Sequence, residues 1–187
     1  MKLAYFADAE CNHGQRWISQ LAKKHDAILI CLKSNKLDLF KEEKKVRIFP
    51  VLPGAYPFSN LLLRNKIIRE CRAIIESNGV EIIHSFYPVP YSFWPFHLNF
   101  PNHIVTTRGQ DVLVDYKTFC CPKSIRERIA FPFLKSTFER TVRQAKFITS
   151  TSLRQMKELR LILGNDNKLS LVRTGVDTEA FLSVYRG

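Results

Sequence analysis

The sequence predicts an α/β domain in which helices cover both faces of a parallel sheet of about seven strands. Short apolar runs alternate along the chain with segments whose apolar residues recur at helical spacing. The run AILICL at residues 27–32 is typical of a strand buried on both faces. Strands that alternate with helices form parallel sheets. The 187 residues suffice for one such domain and are too few for two.

The predicted elements follow one another along the chain. In the first half they are strands at residues 2–6, 27–32, 46–49 and 80–84, a helix at 15–24, and a helix capped by Ser59 that stops at Asn78-Gly79. In the second half they are strands at 103–107, 146–150 and 169–172 and helices at 124–144 and 152–163. Pro132 lies inside the longest helix, where it predicts a kink or a break.

The composition is basic, with 29 Lys and Arg against 17 Asp and Glu and a formal net charge of +12. This surplus predicts attraction to phosphates, anionic lipid surfaces or nucleic acid. The opening MKLAYFADAE is too short an apolar run for a signal peptide. The long uncharged run at residues 82–107 contains four prolines, which argue against a spanning helix. We therefore predict a soluble protein.

The five cysteines are odd in number and form no C-x-x-C pair. Both features argue against a disulfide framework and against a zinc site. They predict a reducing, cytoplasmic location. We also expect no metal and no resident cofactor.

The loop DAECNHGQRW follows the first strand, at the edge of the sheet where ligands of such folds bind. Gly14 either lets an anion approach the N-terminus of the next helix or only allows a tight turn. His13 and Arg16 are the neighbouring candidates for binding a phosphate. The chain has neither G-x-G-x-x-G nor G-x-x-x-x-G-K-[ST], which disfavours the usual dinucleotide and P-loop sites.

Two further strand ends carry candidate site residues. His84 ends the fourth predicted strand, where it either reaches a substrate hydroxyl or phosphate or is a satisfied structural group. After the fifth strand, TTRGQDV places Arg108, Gly109 and Asp111 together. Arginine offers a fixed fork of donors to phosphate, and Asp111 can orient it or accept from a sugar hydroxyl. The alternative is a structural salt bridge at a turn.

The helical region at residues 124–144 and its approach are rich in cations. An apolar stripe, consisting of Phe131, Leu134, Phe138 and Val142, recurs there at helical spacing. The candidate membrane- or anion-facing residues are Lys123, Arg126, Arg128, Lys135, Arg140 and Arg143. Such a helix can lie on an anionic bilayer, or it can pack its stripe on the sheet while its charges face water. Both can hold at once.

The ordered segments IIH, TTRGQD, ERTVRQAKFITSTS and LVRTGVDTEAF, after a glycine in the first loop, resemble the N-terminal half of retaining, family-4-type glycosyltransferases with the GT-B architecture. In that family the last segment commonly reads Asn-Gly-Val-Asp after a strand, with a phenylalanine soon afterwards. Here Gly175, Val176, Asp177 and Phe181 fit, and Thr174 replaces the asparagine.

The resemblance implies that residues 1–177 form one Rossmann-like domain, that 178–187 begin a linker, and that the nucleotide-sugar domain is absent from this sequence. It implies a transferase that moves a sugar from a nucleotide sugar to a glycan or lipid-linked acceptor with retention, in polysaccharide biosynthesis at the inner face of the membrane. This chain alone is then expected to be inactive.

The resemblance also implies roles for single residues. Gly14 matches a loop that contacts the donor, His84 matches a recurring histidine, and Asp111 matches the aspartate of a Gly-x-Asp turn. Arg108 stands where many members have a histidine near the reacting sugar, which puts a histidine-like role in doubt. Phe86 replaces a commonly polar position.

Three other functions remain open from the residues. The charge suggests a nucleic-acid-binding module, which is disfavoured because no helix-turn-helix, RNP or zinc signature occurs. Asp8 and Glu10 hint at a receiver domain, although arginine replaces the lysine expected after the fifth strand. A non-catalytic α/β module could bind a glycan or a partner protein.

Overall fold

The computed structural model describes residues 1–34, 46–54 and 63–173. The strands are β1 (Lys2–Phe6), β2 (Asp26–Leu32), β3 (Val46–Leu52), β4 (Ile82–Phe86), β5 (His103–Thr107), β6 (Phe147–Ser150) and β7 (Leu169–Leu171). The helices are α1 (Asn12–Ala22), α2 (Arg64–Ser77), α3 (Phe93–Leu98), α4 (Tyr116–Cys120), α5 (Ile125–Gln144) and α6 (Leu153–Leu163), with one π-helical turn at Asp111–Asp115.

The seven strands form one parallel sheet in the order β3-β2-β1-β4-β5-β6-β7, which confirms the predicted fold class. The chain builds the sheet in one direction from β1 and in the other direction from β4. Connections on the two sides of this reversal diverge, which leaves a crevice at the carboxyl ends of β1 and β4.

The two faces of the sheet bury different clusters because side chains alternate along each strand. Tyr5 and Leu29 pack with Ile18 of α1 on one face. Phe6 packs with α2 and α3 on the opposite face, where Val105 also packs with α5 and α6. Helices therefore cover both faces, as predicted, and among the described helices α1 supplies the side chains that pack in the Tyr5 cluster.

Helix α5 runs through Pro132 without interruption, so the predicted break does not occur. Pro132 is exposed, so water can solvate the carbonyl group that its missing N–H leaves without a helical partner. Leu134, Phe138 and Val142 are buried, which confirms that the apolar stripe packs inward. No helix in the described ranges has both the length and the apolar character needed to cross a bilayer.

Several boundaries differ from the sequence-based expectation. Helix α1 begins at Asn12 rather than at residue 15, and β4 continues to Phe86, two residues past His84. The predicted loops after β4 and β5 contain α3, the π-helical turn and α4. The predicted cap Ser59 and the motif at residues 174–181 lie outside the described residues.

Candidate functional site

A cavity of about 370 Å³ opens at the carboxyl ends of β1, β4 and β5, beside the point where the strand order reverses. Its walls combine three carboxyl groups with aromatic and apolar side chains, and the lining residues are Asp8, Cys11, Tyr87, Val89, Pro90, Tyr91, Gln110, Asp111, Asp115, Phe119 and Phe138. Such a lining can stack on a ring and accept hydrogen bonds from hydroxyl groups.

Asp111 fixes the backbone of the loop that follows β5. Its buried carboxylate accepts hydrogen bonds from the N–H groups of Arg108, Gly109 and Val112 at 2.8–3.0 Å. These bonds reach the backbone N–H groups, and among the described residues Asp111 forms no hydrogen bond with the Arg108 guanidinium that it was predicted to orient. Burial raises the pKa of Asp111 to about 6, although the three N–H groups act in the opposite direction.

Arg108 precedes the loop residues Gln110 and Asp111 of the cavity wall, and its guanidinium lies on aromatic rings. Its Cζ atom is 4.7 Å from the ring centroid of Phe86 and 5.4 Å from that of Trp17. Its Nη2 atom is buried and has no hydrogen-bond partner among the described residues. Burial lowers the pKa of Arg108, although electrostatic interactions with Tyr87, Cys11 and Asp111 act in the opposite direction. A guanidinium positioned in this way offers a planar fork of donors that suits an anionic or hydroxyl oxygen of a ligand.

His84 lies inside the domain and does not line the cavity. Its Nε2 atom is 2.6 Å from Thr106 Oγ1, which is also 2.6 Å from Thr149 Oγ1. Burial, with smaller effects of His103 and Arg108, lowers the pKa of His84 to about 3, so the ring is neutral at pH 7. This geometry favours the structural alternative over direct contact with a substrate.

Gly14 lies buried in the first turn of α1 and packs against Phe86. A Cβ atom at Gly14 would lie 3.5 Å from the Phe86 ring and 3.6 Å from the Asp8 carbonyl oxygen. Both distances are ordinary van der Waals contacts, so a Cβ atom would fit beside the ring. Phe86 also contacts Arg108 and His84, so these sequence-predicted residues meet around one ring.

The remaining candidates are distributed around this centre. His13 and Arg16 are exposed on α1, Gly109 lies in the loop held by Asp111, and Asp111 lines the cavity. Among the residues that the structure describes, no group of three or more histidine, cysteine or acidic side chains could hold a metal ion.

Sequence reasoning did not identify Trp17 and Phe86 as the support for Arg108, or Cys11 and Tyr87 as cavity residues. Trp17 carries only a helical-periodicity signal, and Phe86 is one member of an aromatic-rich segment. Tyr87 adopts a left-handed conformation with φ of 66°, which is unusual for a residue other than glycine or asparagine. Strain of this kind clusters at functional sites but leaves no mark in the sequence.

The two glycines of the site are expected to respond differently to alanine. Gly109 has φ of +115°, and its Cβ would lie 3.0 Å from Gln155 Nε2, so Gly109→Ala should lower the free energy of unfolding by about 2 kcal/mol. Gly14→Ala should be neutral or stabilising by up to about 1 kcal/mol, since its contacts are ordinary and alanine favours helix. Urea denaturation of both variants tests this, and equal losses would contradict it.

The sequence comparison decides the family. The model of the family described as glycosyl transferase 4-like matches residues 2–152. The chain belongs to the glycosyl transferase 4-like family. This confirms the resemblance inferred from the ordered motifs. No curated protein sequence matches the chain.

Solved structures share the fold of this glycosyl transferase 4-like chain. A sucrose-phosphate synthase structure from Thermosynechococcus elongatus is 14% identical with a TM-score of 0.62, covering 100% of this chain and 96% of that one. The lipopolysaccharide outer core galactosyltransferase WaaB, in its apo form, is 10% identical with a TM-score of 0.58, covering 94% and 46%. Glycyrrhiza uralensis UGT73P12, complexed with glycyrrhetinic acid 3-O-monoglucuronide, is 11% identical with a TM-score of 0.56, covering 92% and 48%.

The glycosyl transferase 4-like chain thus spans about half the length of the solved WaaB and UGT73P12 chains. It spans nearly all of the solved sucrose-phosphate synthase chain. At these identities the likeness shows the fold alone.

Proposed function

We propose that this chain is the acceptor-binding half of a glycosyltransferase that uses a nucleotide sugar and retains the configuration of the transferred sugar. The observation that carries the proposal is the cavity beside Arg108, at the reversal of strand order, in a member of the glycosyl transferase 4-like family. The nucleotide sugar would be shared with a second domain of the polypeptide. Its acceptor would be a glycan or a lipid-linked sugar.

In this proposal the cavity binds the acceptor. Tyr87 and Phe119 offer ring faces on which a sugar can stack, and Asp8 and Asp115 present carboxyl oxygens that can accept from its hydroxyl groups. Asp111 contributes by holding the loop that shapes one wall.

Arg108 would act on the donor side of the crevice. As the bond from the anomeric carbon to the diphosphate oxygen breaks, negative charge develops on the departing diphosphate. The acceptor oxygen bonds to the anomeric carbon, and its hydroxyl proton passes to the diphosphate. A guanidinium held in place by Phe86 and Trp17 can stabilise that charge without having to reorganise. We propose no resident cofactor, because a nucleotide sugar carries its own leaving group.

We place the enzyme in the cytoplasm. The described structure leaves all five cysteines unpaired, including two exposed thiols at Cys120 and Cys121, and this is typical of a reducing compartment.

The proposal is tested with the protein expressed from its complete reading frame. It is incubated with a panel of nucleotide sugars and with glycan and lipid-linked acceptors, and transfer and nucleotide release are followed by mass spectrometry. We expect transfer from at least one donor. Absence of both transfer and nucleotide release across the panel would contradict the proposed function.

A cavity-filling variant tests the acceptor site separately. Cys11 is half-buried in the cavity wall, so Cys11→Phe should raise the KM for the acceptor about tenfold or more while nucleotide release without acceptor stays unchanged. Cys121→Phe is the matched control, because Cys121 is exposed and does not line the cavity. Equal effects of the two substitutions on KM would show that the acceptor binds elsewhere.

A further inference from the structure

Two large apolar side chains are exposed on the first turns of α5. Ile125 is 77% exposed and Ile129 is 76% exposed, although the same helix buries Leu134 and Phe138 on its inner face. Residues four apart on a helix lie on one face, so the two isoleucines form one apolar strip, which exposed Pro132 extends. The core does not require this strip, because the strip points away from it.

Exposed cations flank the strip on both sides. Each helical residue advances by about 100°, so Arg126 and Arg128 lie on opposite sides of the line through Ile125 and Ile129. Lys123 precedes them and is also exposed. We call Lys123, Ile125, Arg126, Arg128 and Ile129 the docking surface.

Glu127, the acidic residue within this segment, forms hydrogen bonds at the start of the helix. Glu127 and Ser124 form a capping box in which Ser124 Oγ accepts from the Glu127 N–H and the Glu127 carboxylate accepts from the Ser124 N–H. The carboxylate also accepts from the Lys123 N–H. The box therefore sets the start of the helix, and with it the direction of the exposed side chains.

The other three predicted anion-facing cations make contacts within the domain. Those contacts are Lys135 with the Glu139 carboxylate, Arg140 over the Phe96 ring and Arg143 with the Ile162 carbonyl oxygen. Within the described ranges, the side chains of Lys123, Arg126 and Arg128 form no ion pair, so the basic helix presents these charges at its N-terminal end, where the apolar strip lies.

We propose that the docking surface binds an anionic lipid bilayer, with the two isoleucines entering the interface and the three cations facing lipid phosphates. At a membrane surface anionic headgroups overlie apolar acyl chains, so the cations can contact the headgroups while the apolar strip contacts the acyl chains. A nucleic-acid backbone would use the cations and leave the isoleucines in water.

The helix that carries the docking surface also contacts the wall of the cavity. Phe119 lines the cavity, and its ring centroid is 5.6 Å from that of Phe131 on α5. A docked protein would hold the cavity close to the bilayer. Because the acceptor would then bind close to the bilayer, we infer that it is lipid-linked. This consequence rests on the proposed function, whereas docking itself does not.

Sedimentation with vesicles tests the proposal, using the protein from its complete reading frame. Vesicles of phosphatidylglycerol and phosphatidylcholine are compared with phosphatidylcholine alone. We expect binding to the anionic vesicles that weakens as salt increases. Replacing Lys123, Arg126 and Arg128 together by glutamine should lower the partition coefficient about 100-fold, at about fivefold for each cation. Ile125→Ser with Ile129→Ser should lower it about tenfold or more.

Matched controls separate this surface from general charge and hydrophobicity. Leu161→Ser removes a side chain that is 75% exposed on α6, and Lys66→Gln with Arg69→Gln removes exposed charge from α2. Neither should change binding by more than about twofold. Equal binding to both vesicle types, no loss in the isoleucine variant, or preferential binding to duplex DNA would overturn the proposal. Sugar transfer to a water-soluble acceptor should persist in the isoleucine variant, so docking and catalysis can fail independently.

Discussion

Arg108→Ala is expected to lower kcat/KM for sugar transfer by about 10²–10³-fold, the usual loss when one preorganised donor to a developing negative charge is removed. The guanidinium lies on Phe86 and Trp17, and its Nη2 donor has no acceptor within the described protein. A charge held in this way is already oriented before the leaving group develops its own charge. Initial-rate kinetics on the protein from its complete reading frame measure the loss.

Two companion variants make the result specific. Arg108→Lys should recover less than about tenfold of the lost rate, because an ammonium group lacks the planar fork of donors and stacks less well on aromatic rings. Arg69→Ala removes an exposed arginine of α2 and should leave the rate unchanged. A fully active Arg108→Ala enzyme, or equal losses at both positions, would remove Arg108 from the proposed mechanism.

The sheet could be predicted from the sequence because each strand leaves a local signal. A strand buried on both faces must be apolar throughout, and AILICL at residues 27–32 has that character. The alternation of strands and helices around it then predicts a parallel sheet. Helix α3 could not be predicted in this way. Phe93, Trp94, Pro95 and Leu98 are all buried there, so the short segment has no polar face to reveal a helical period.

The site could be predicted in its location but not in its contacts. The parallel topology places the loops with Arg108 and Asp111 at the carboxyl edge, and the structure confirms that placement. The sequence does not show that Asp111 bonds to backbone N–H groups or that Phe86 meets both Gly14 and Arg108. The Phe86 contacts join segments that are distant in sequence, and local spacing carries no information about them. The Asp111 bonds are local, but the residue types allow a bond to the guanidinium as readily as bonds to the backbone.

Acidification is expected to destabilise the domain between about pH 6.5 and pH 4 because two buried imidazoles must remain neutral. Burial lowers the pKa of His84 to about 3 and that of His103 to about 4, from 6.5. In this window the unfolded chain takes up protons that the folded chain does not, so the free energy of unfolding decreases as pH falls. Each imidazole contributes about 1.4 kcal/mol per pH unit.

The ionisation of Asp111 changes the free energy of unfolding in the opposite direction. Burial raises its pKa from 3.8 to about 6, so the folded state holds its proton more tightly than the unfolded state does. Its contribution to stability is complete below about pH 3.8 and is lost as the pH rises through 6. Between these values Asp111 therefore offsets about one imidazole in the slope of the free energy of unfolding against pH.

Two substitutions are therefore expected to change that slope in opposite directions. In His103→Gln an amide takes the place of the Nε2 atom that lies 2.6 Å from Ser85 Oγ, and the slope should fall by about 1.4 kcal/mol per pH unit. In Asp111→Asn a group that can still accept the backbone hydrogen bonds no longer titrates, and the slope should rise by the same amount. Urea unfolding followed by tryptophan fluorescence between pH 6 and 4 measures both slopes. Shifts of the same sign would show that general charge repulsion, rather than these buried groups, controls acid stability.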